Sequence, residues 1–301
     1  MLGGVLVVLG ASAAAWAVAY PQGTFSATVV RALADCCAAV TLGLAVVPLL
    51  DARRYRDELT KRAGRPLAWA AGAWLLAELC RMAVGAASAE AVPVWRVGLG
   101  TTAQFAMVTS AGRSSLFGLA AAAVVLIVAV IGARTSAAAV AATGIAAVGL
   151  VARTVGGHMS ESAIGAPAIA LHVVAAATWC GALAALVLTV DHRGQWARVL
   201  PRFSDLSLWC VIALLSGGLI GAVVAVSSPA QLFATGYGRV LLIKIVLTVV
   251  LIVLARRNRG SWLPAAKSHR VTAYASRSRS LTELAIMAVA LTMAGALSVT
   301  G

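Results

Sequence analysis

Two of the chain's four histidines lie where an imidazole could do chemistry. His158 follows two glycines and precedes Met159 in a short predicted loop, and His172 lies roughly two turns into the following apolar helix. Imidazole suits copper, zinc and iron, and a methionine thioether selects Cu(I). These residue types indicate a copper site formed by His158, Met159 and His172, with Glu161 as a ligand or an outer partner.

The helical register of His172 leaves a second interpretation open. His172, Ala176 and Trp179 share one stripe at spacings i, i+4 and i+7, so Trp179 would lie beneath the site. An ionisable residue within a membrane is costly unless it has a partner, which makes it a functional candidate. The alternative is a histidine that only joins two helices. His192 and His269 fall in basic segments and are interpreted as solvated.

A few charges also fall within apolar segments. Glu78 and Arg81 are three residues apart, so they can pair on one helix face, and Arg31 lies one turn from Asp35. Lys244 is a further cation within an apolar segment. Structural pairing of these charges is one interpretation. The other is a polar path in which Asp35 or Glu78 carries a proton or a cation.

The elements that must position these residues are membrane helices. Hydrophobic residues make up 61% of the chain and charged residues 11%, whereas a soluble domain is about half apolar and a quarter charged. Such an apolar excess would leave apolar surface facing water in a globular protein. The abundance of glycine and the lack of strand-like alternation favour helices over a barrel. The fold class predicted is an all-α, polytopic transmembrane helix bundle forming one integral membrane domain over residues 1–301.

A spanning helix needs about 20 apolar residues, which gives eight or nine spanning helices. The predicted spans are 2–20, 27–50, 67–89, 114–133, 136–155, 165–190, 205–226, 238–255 and, closing the chain, 281–299. Segment 91–111 is too polar and is predicted to form a short interfacial half-helix. Residues 1–20 lack a basic start and are interpreted as a retained helix rather than a signal peptide.

The basic residues predict the orientation. Most of the 24 lysines and arginines lie in segments 51–66, 191–204 and 256–280 or at Arg134, and nine spans place all of these on one side. By the positive-inside rule that side is the cytoplasm, with the N-terminus inside and the C-terminus outside the plasma membrane. Membrane topology and contact with anionic lipid headgroups thereby explain the net charge of +14, and nucleic-acid binding is not needed to explain it.

The remaining patterns argue against an enzyme. The five cysteines all fall in predicted spans and form no CxxC pair, so they are expected to be small buried hydrophobes. No nucleotide-binding loop and no Ser-His-Asp arrangement is recognisable. The stretch from Thr101 to Arg113 parallels the stretch from Gln231 to Arg239, since each ends in Gly-Arg before a span. The parallel is consistent with a weak internal repeat containing two half-helices, or with coincidence.

Several motifs together resemble the CopD/PcoD family of copper-resistance membrane proteins. The segment Leu171–Leu183 is similar to the family's LHxxAAAxWxGGL helix, although Cys180-Gly181-Ala182 replaces the usual apolar-Gly-Gly. Gly157-His158, Arg202-Phe203-Ser204 and Thr235–Lys244 resemble the family's GH, RFS and TxYGRxLLxK elements, in the same order. Weaker similarity covers residues 31–43 and 102–113. The resemblance separates N-terminal helices, residues 1–150, from a CopD-like region, residues 151–301.

The resemblance implies a protein that moves copper ions across the membrane or passes them to partners. Those partners would be a periplasmic copper-binding protein or a cytochrome oxidase assembly factor. One alternative is a b-type cytochrome with His158 and His172 as axial haem ligands; the loop position of His158 argues against it. The other alternative is a non-catalytic assembly subunit for a copper oxidase.

Overall fold

The computed structural model describes residues 2–22, 24–132, 135–152, 164–225, 231–268 and 271–300. Within these ranges the regular secondary structure is helical and no strand occurs. The prediction of an all-α polytopic bundle is confirmed.

The helices follow one another with short connections. The α-helices are α1 (Leu2–Ala19), α2 (Phe25–Val46), α3 (Arg56–Ala89), α4 (Leu99–Val108), α5 (Ser110–Ile131), α6 (Ser136–Ala152), α7 (Gly165–Thr189), α8 (Arg193–Ala225), α9 (Gln231–Ala234), α10 (Gly236–Arg257), α11 (Leu263–Lys267) and α12 (Ala273–Thr300). A 3₁₀ turn, Val47–Leu50, extends α2, and a π-helix, Asn258–Trp262, joins α10 to α11.

Most of the predicted spans have the length that a bilayer requires. In the described part of the chain, seven helices are long and apolar enough to cross a membrane: α2, α3, α5, α7, α8, α10 and α12. Helices α1 and α6 are shorter apolar helices, and the predicted end of the α6 span, residues 153–155, lies outside the described residues. Large apolar side chains such as Ile131, Leu219 and Val223 are exposed on these helices, as expected for surfaces that contact lipid.

Three helices start earlier than hydropathy predicted. Helix α3 begins at Arg56 rather than 67, α8 at Arg193 rather than 205, and α12 at Ala273 rather than 281. The segments expected to be loops are therefore largely helical. Charged side chains in these added turns pair with one another: Arg62 donates to Glu58, one turn before it, at 3.0 Å. Such i,i+4 pairs stabilise a helix outside an apolar environment.

These added turns meet at what we call the basic end of the bundle, formed by the starts of α3, α8 and α12 and by the end of α10. Arg198 pairs with Asp51 at 3.2 Å, and its guanidinium lies 4.0 Å from the centre of the Tyr55 ring. Arg259 donates to the Ser204 carbonyl at 3.0 Å. Because these bonds join residues far apart in sequence, they tie separate helical hairpins together.

The centre of the bundle is the crossing of α2 and α7. A Cβ placed on Gly43 would overlap the backbone of Gly181, and one placed on Gly181 would overlap the backbone of Ala39. Only glycine permits this approach, and small residues at helix contacts are typical of membrane bundles. Buried side chains of the two helices, including Leu44 and Leu183, continue the contact towards the basic end.

At the opposite end, two short helices precede two long ones. Helix α4 ends before Thr109, whose hydroxyl accepts from the Gly112 N–H at 2.9 Å and so caps α5. Helix α9 ends before Thr235, whose hydroxyl accepts from the Gly238 N–H at 3.0 Å and so caps α10. The parallel in the sequence therefore corresponds to the same local geometry, in which a threonine N-cap starts each long helix.

Candidate metal centre

His172 is held by a hydrogen bond to the neighbouring helix. It lies on α7, half-buried, and its Nδ1 is 2.8 Å from the carbonyl oxygen of Leu214 on α8. Two glycines of α8 make room for the ring. A Cβ on Gly218 would lie 2.9 Å from Nδ1, and one on Gly217 would lie 3.2 Å from the Cβ of His172.

This hydrogen bond decides which ring nitrogen is available. A carbonyl oxygen only accepts, so Nδ1 must carry the hydrogen, and in the neutral ring Nε2 then keeps its lone pair. Metal-binding histidines almost always donate their other ring N–H to a carbonyl or a carboxylate, which fixes the tautomer and the orientation of the ring. His172 has that arrangement, and Nε2 is its potential ligand atom.

The other predicted ligands fall outside the described residues. This applies to His158, Met159 and Glu161, so their approach to His172 remains a prediction. The described flanks agree with it in one respect: α6 and α7 are in contact, as a short connection between antiparallel neighbours requires. Among the residues that the structure does describe, no group of three or more His, Cys, Asp or Glu side chains could hold a metal ion.

Trp179 lies two turns below His172 on α7, as its register predicted. Its side chain is 2% exposed and belongs to the buried core with Leu183 and Leu186. Its indole Nε1 is buried and has no hydrogen-bond partner among the described residues. A buried donor without a partner is rare. Trp179 therefore places one polar N–H group within an otherwise apolar core.

Lys244 lies on α10 and is half-buried. Its side chain makes no hydrogen bond or ion pair with the described residues. The structure therefore does not provide this cation with the paired charge that one of the two sequence interpretations expected.

Among the predicted supporting residues that the structure describes, Glu78 is the most deeply buried. It is completely buried, and its carboxylate accepts from Arg81 Nε at 2.8 Å and from Trp74 Nε1 at 3.0 Å. The predicted pairing of Glu78 and Arg81 is confirmed. Gly118 of α5 packs on this carboxylate, since a Cβ there would be 3.1 Å from Oε1. These contacts are the ones that structural pairing of the charge requires, and a polar path through Glu78 stays a prediction.

Asp35 is paired in a similar way, and its partner borders a cavity. Arg31 Nε donates to Asp35 at 3.1 Å, with both side chains 19% exposed. Arg31 and Arg81 both line a cavity of about 350 Å³ at the end opposite the basic end, between α2, α3, α5 and α12. The ring of Phe105 on α4 forms part of its wall. The cavity thus reaches the arginine of each ion pair, and its lining does not include His172.

Sequence reasoning missed two buried carboxylates. Asp51 at the basic end is 2% exposed. Glu283 on α12 is 4% exposed and accepts a hydrogen bond from Asn258 Nδ2 at 2.8 Å. It also missed Gly217 and Gly218. The only signal for the glycines was a Ser-Gly-Gly sequence in the middle of a span, which indicates close helix contact without naming the partner.

Two family descriptions match most of the chain. Residues 22–166 match the copper resistance protein D-like N-terminal domain, and residues 197–297 match copper resistance protein D. The chain belongs to the copper resistance protein D family. Residue 172 lies between the two matches, whereas Leu214 and its glycines fall in the second. In this family member the His172 site therefore joins the second matched region to the segment that precedes it.

Two curated proteins resemble shorter stretches of this copper resistance protein D relative. One is the "Inner membrane protein YebZ" of Escherichia coli, 30% identical over 99 residues, which are 31% of this chain and 34% of that protein. The other is the "Copper transport protein CutJ" of Bacillus subtilis, 37% identical over 91 residues, which are 28% of this chain and 17% of that protein. The chain thus spans about a third or less of these relatives. No solved structure matches it significantly.

Family and fold together make this a copper-related, multi-pass membrane protein. The helices α2, α3, α5, α7, α8, α10 and α12 are long enough to span a bilayer, and the family is one of copper resistance. Lipid is accordingly the solvent for much of its exposed apolar surface.

Proposed function

We propose that the protein handles copper ions at a site whose central ligand is the Nε2 atom of His172. The observation that carries this proposal is the 2.8 Å hydrogen bond from His172 Nδ1 to the Leu214 carbonyl, because it leaves Nε2 oriented and available as a ligand. His158 and Met159 supply the remaining nitrogen and sulfur ligands, and Glu161 acts as a further ligand or as an outer partner. Imidazole with thioether is a ligand set that favours copper.

The protein moves copper across the membrane or passes it to a partner. Its membrane is the plasma membrane, and the basic end faces the cytoplasm because most arginines and lysines lie there. The N-terminus is then cytoplasmic, and His172 lies about 10 Å below the outer start of α7, at a rise of 1.5 Å per residue. A periplasmic copper-binding protein or a cytochrome oxidase assembly factor would exchange copper at that outer surface. No catalytic role is assigned to the chain.

Metal analysis of the purified protein tests the proposal. The wild type, His172→Ala and His192→Ala are compared in lipid nanodiscs after copper loading under reducing conditions and removal of free metal. His192 is an exposed histidine at the basic end and is the matched control. Loss of the central ligand should lower copper retention by at least about tenfold, while His192→Ala should match the wild type.

Two results would contradict the proposal. Equal copper retention by folded His172→Ala would remove His172 from the site. A haem Soret band in the optical spectrum of the wild type, lost in His172→Ala, would favour the cytochrome alternative instead.

A further inference from the structure

The cavity opposite the basic end combines two charged side chains with an apolar wall. Its volume of about 350 Å³ is at the lower end of the range for pockets that hold small ligands. Val30, Val84 and Phe105 form apolar parts of the wall, and Arg31 and Arg81 supply the charge. A mostly apolar lining with a few convergent polar groups is typical of a binding site.

The two arginines reach the cavity from different helices. Arg31 is on α2 and its side chain is 19% exposed, whereas Arg81 is on α3 and its side chain is 14% exposed. The stem of Arg31 lies against α12, where a Cβ placed on Gly295 would meet its Cγ at 3.5 Å. Both guanidinium groups are therefore partly withdrawn from solvent and held by their neighbours, which lowers the entropy that a ligand must remove on binding.

The carboxylates that pair with these arginines lie away from the cavity wall. Asp35 and Glu78 each accept a hydrogen bond from the Nε of their arginine, and neither is among the described residues that line the cavity. A guanidinium group has five N–H donors, more than a bidentate bond to one carboxylate uses. The described wall thus presents the cationic member of each ion pair, which favours an anionic ligand.

Hydroxyl groups complete the polar lining of the cavity. The Ser88 hydroxyl donates to the Val84 carbonyl at 2.9 Å, and the Ser115 hydroxyl donates to the Ala111 carbonyl at 2.8 Å. A hydroxyl group has one hydrogen, so these two oxygens can only accept from a ligand. The ligand that satisfies them carries an O–H donor as well as a negative charge.

We propose that this cavity binds a phosphate group through Arg31 and Arg81, with the Ser88 and Ser115 oxygens as acceptors for its P–OH. Arginine matches phosphate in geometry, and three terminal oxygens let one phosphate meet two guanidinium groups. A phosphate monoester has a second pKa of about 6, so near neutral pH it still carries a proton part of the time. Ionised carboxylates and sulfate have no such proton. The proposal is independent of copper, because the cavity lining does not include His172.

The same group occurs in free phosphate and in the headgroup of phosphatidic acid. The melting temperature of the full chain in phosphatidylcholine nanodiscs separates these sources, because a ligand that binds the native state raises it. In one arm, inorganic phosphate is titrated against sulfate at equal ionic strength. In the other arm, phosphatidic acid is mixed into the nanodiscs and compared with phosphatidylglycerol, an anionic diester without a P–OH. We expect a rise with phosphate or phosphatidic acid that exceeds the rise with its control.

Two double variants connect this rise to the cavity. Ala27→Leu with Ala111→Leu places larger side chains in the cavity lining and keeps both arginines. Arg31→Gln with Asp35→Asn removes one ion pair without leaving a single charge behind. Each should weaken phosphate binding by at least about tenfold, since hydrogen bonds to charged groups are among the strongest in proteins.

The matched control is Arg62→Gln with Glu58→Gln, which removes an i,i+4 ion pair at the basic end and should respond like the wild type. A rise with phosphate alone assigns the site to free phosphate, and a rise with phosphatidic acid alone assigns it to a lipid headgroup. No rise in either arm, or a rise that sulfate and phosphatidylglycerol reproduce, overturns the proposal. An undiminished response of Ala27→Leu with Ala111→Leu also overturns it, even if the arginine variant does not fold.

Discussion

Replacing Gly218 by alanine should weaken copper binding without touching a ligand. The added Cβ would lie 2.9 Å from His172 Nδ1 and 3.1 Å from Cε1, closer than ordinary contacts of about 3.5 Å. The ring must therefore retreat by about half an ångström, which stretches its 2.8 Å hydrogen bond to Leu214 beyond the usual upper limit of about 3.2 Å. The loss of such an outer partner typically costs 10- to 100-fold in metal affinity, or about 1.4–2.8 kcal/mol.

The assay is competition for Cu(I) against a chelator of known affinity, with the melting temperature measured in parallel. Gly221→Ala is the matched control. Gly221 lies on the same helix as Gly218, and its added Cβ would meet Ile169 of α7 at an ordinary contact distance of 3.4 Å. We expect Gly221→Ala to bind copper like the wild type. If Gly218→Ala is folded and binds copper as tightly as Gly221→Ala, the Leu214 hydrogen bond does not position a ligand.

Three further predictions concern the bundle. Glu78→Ala or Arg81→Ala should each cost about 3–5 kcal/mol in unfolding free energy, because each leaves a buried charge unpaired, and the double change should cost less than their sum; strict additivity would show that the pair is not coupled. In a cysteine-free background, Ser268→Cys should react with an impermeant thiol reagent only after the cells are permeabilised, since the basic end is expected to be cytoplasmic. Labelling in intact cells would reverse the topology. Gly181→Ala should lower stability by about 1–3 kcal/mol or more through overpacking, whereas Gly72→Ala, with nothing within 4 Å, should not; equal melting temperatures would contradict the tight crossing.

Hydropathy predicted the spans well because lipid imposes a length that can be read from the sequence. Charge pairs within one helix were also predictable: the spacings of Glu78 and Arg81, and of Arg31 and Asp35, are enough to place each pair on one face. The structure adds a further partner that the sequence analysis did not name, the Trp74 indole, which lies one turn before Glu78 on the same helix. The extra turns at the start of α3 were missed, since hydropathy does not register helices stabilised by charged side chains.

Residue type and helical register predicted which side chains belong to the candidate site, but not the groups that hold them in place. His172 could be selected because an imidazole in an apolar helix needs a partner, and Trp179 followed from its spacing. The partner itself, the Leu214 carbonyl, is 42 residues away. It is a backbone group, so no pattern of side chains in the sequence could have indicated it. Glu283 and Asn258 also meet only through the packing of two helices. The ligands His158 and Met159 remain predictions.

The bonds at the basic end give the bundle unequal stiffness along its axis. Arg198 links the turn after α2 to α8, and Arg259 links the π-helix after α10 to α8. These bonds hold several helical hairpins together at the basic end. At the other end, fewer side-chain hydrogen bonds between described residues join distant segments, and they include those from Arg239 to the Val18 and Tyr20 carbonyls. A motion that widens the bundle would then pivot about the basic end and have its largest amplitude at the mouth of the cavity.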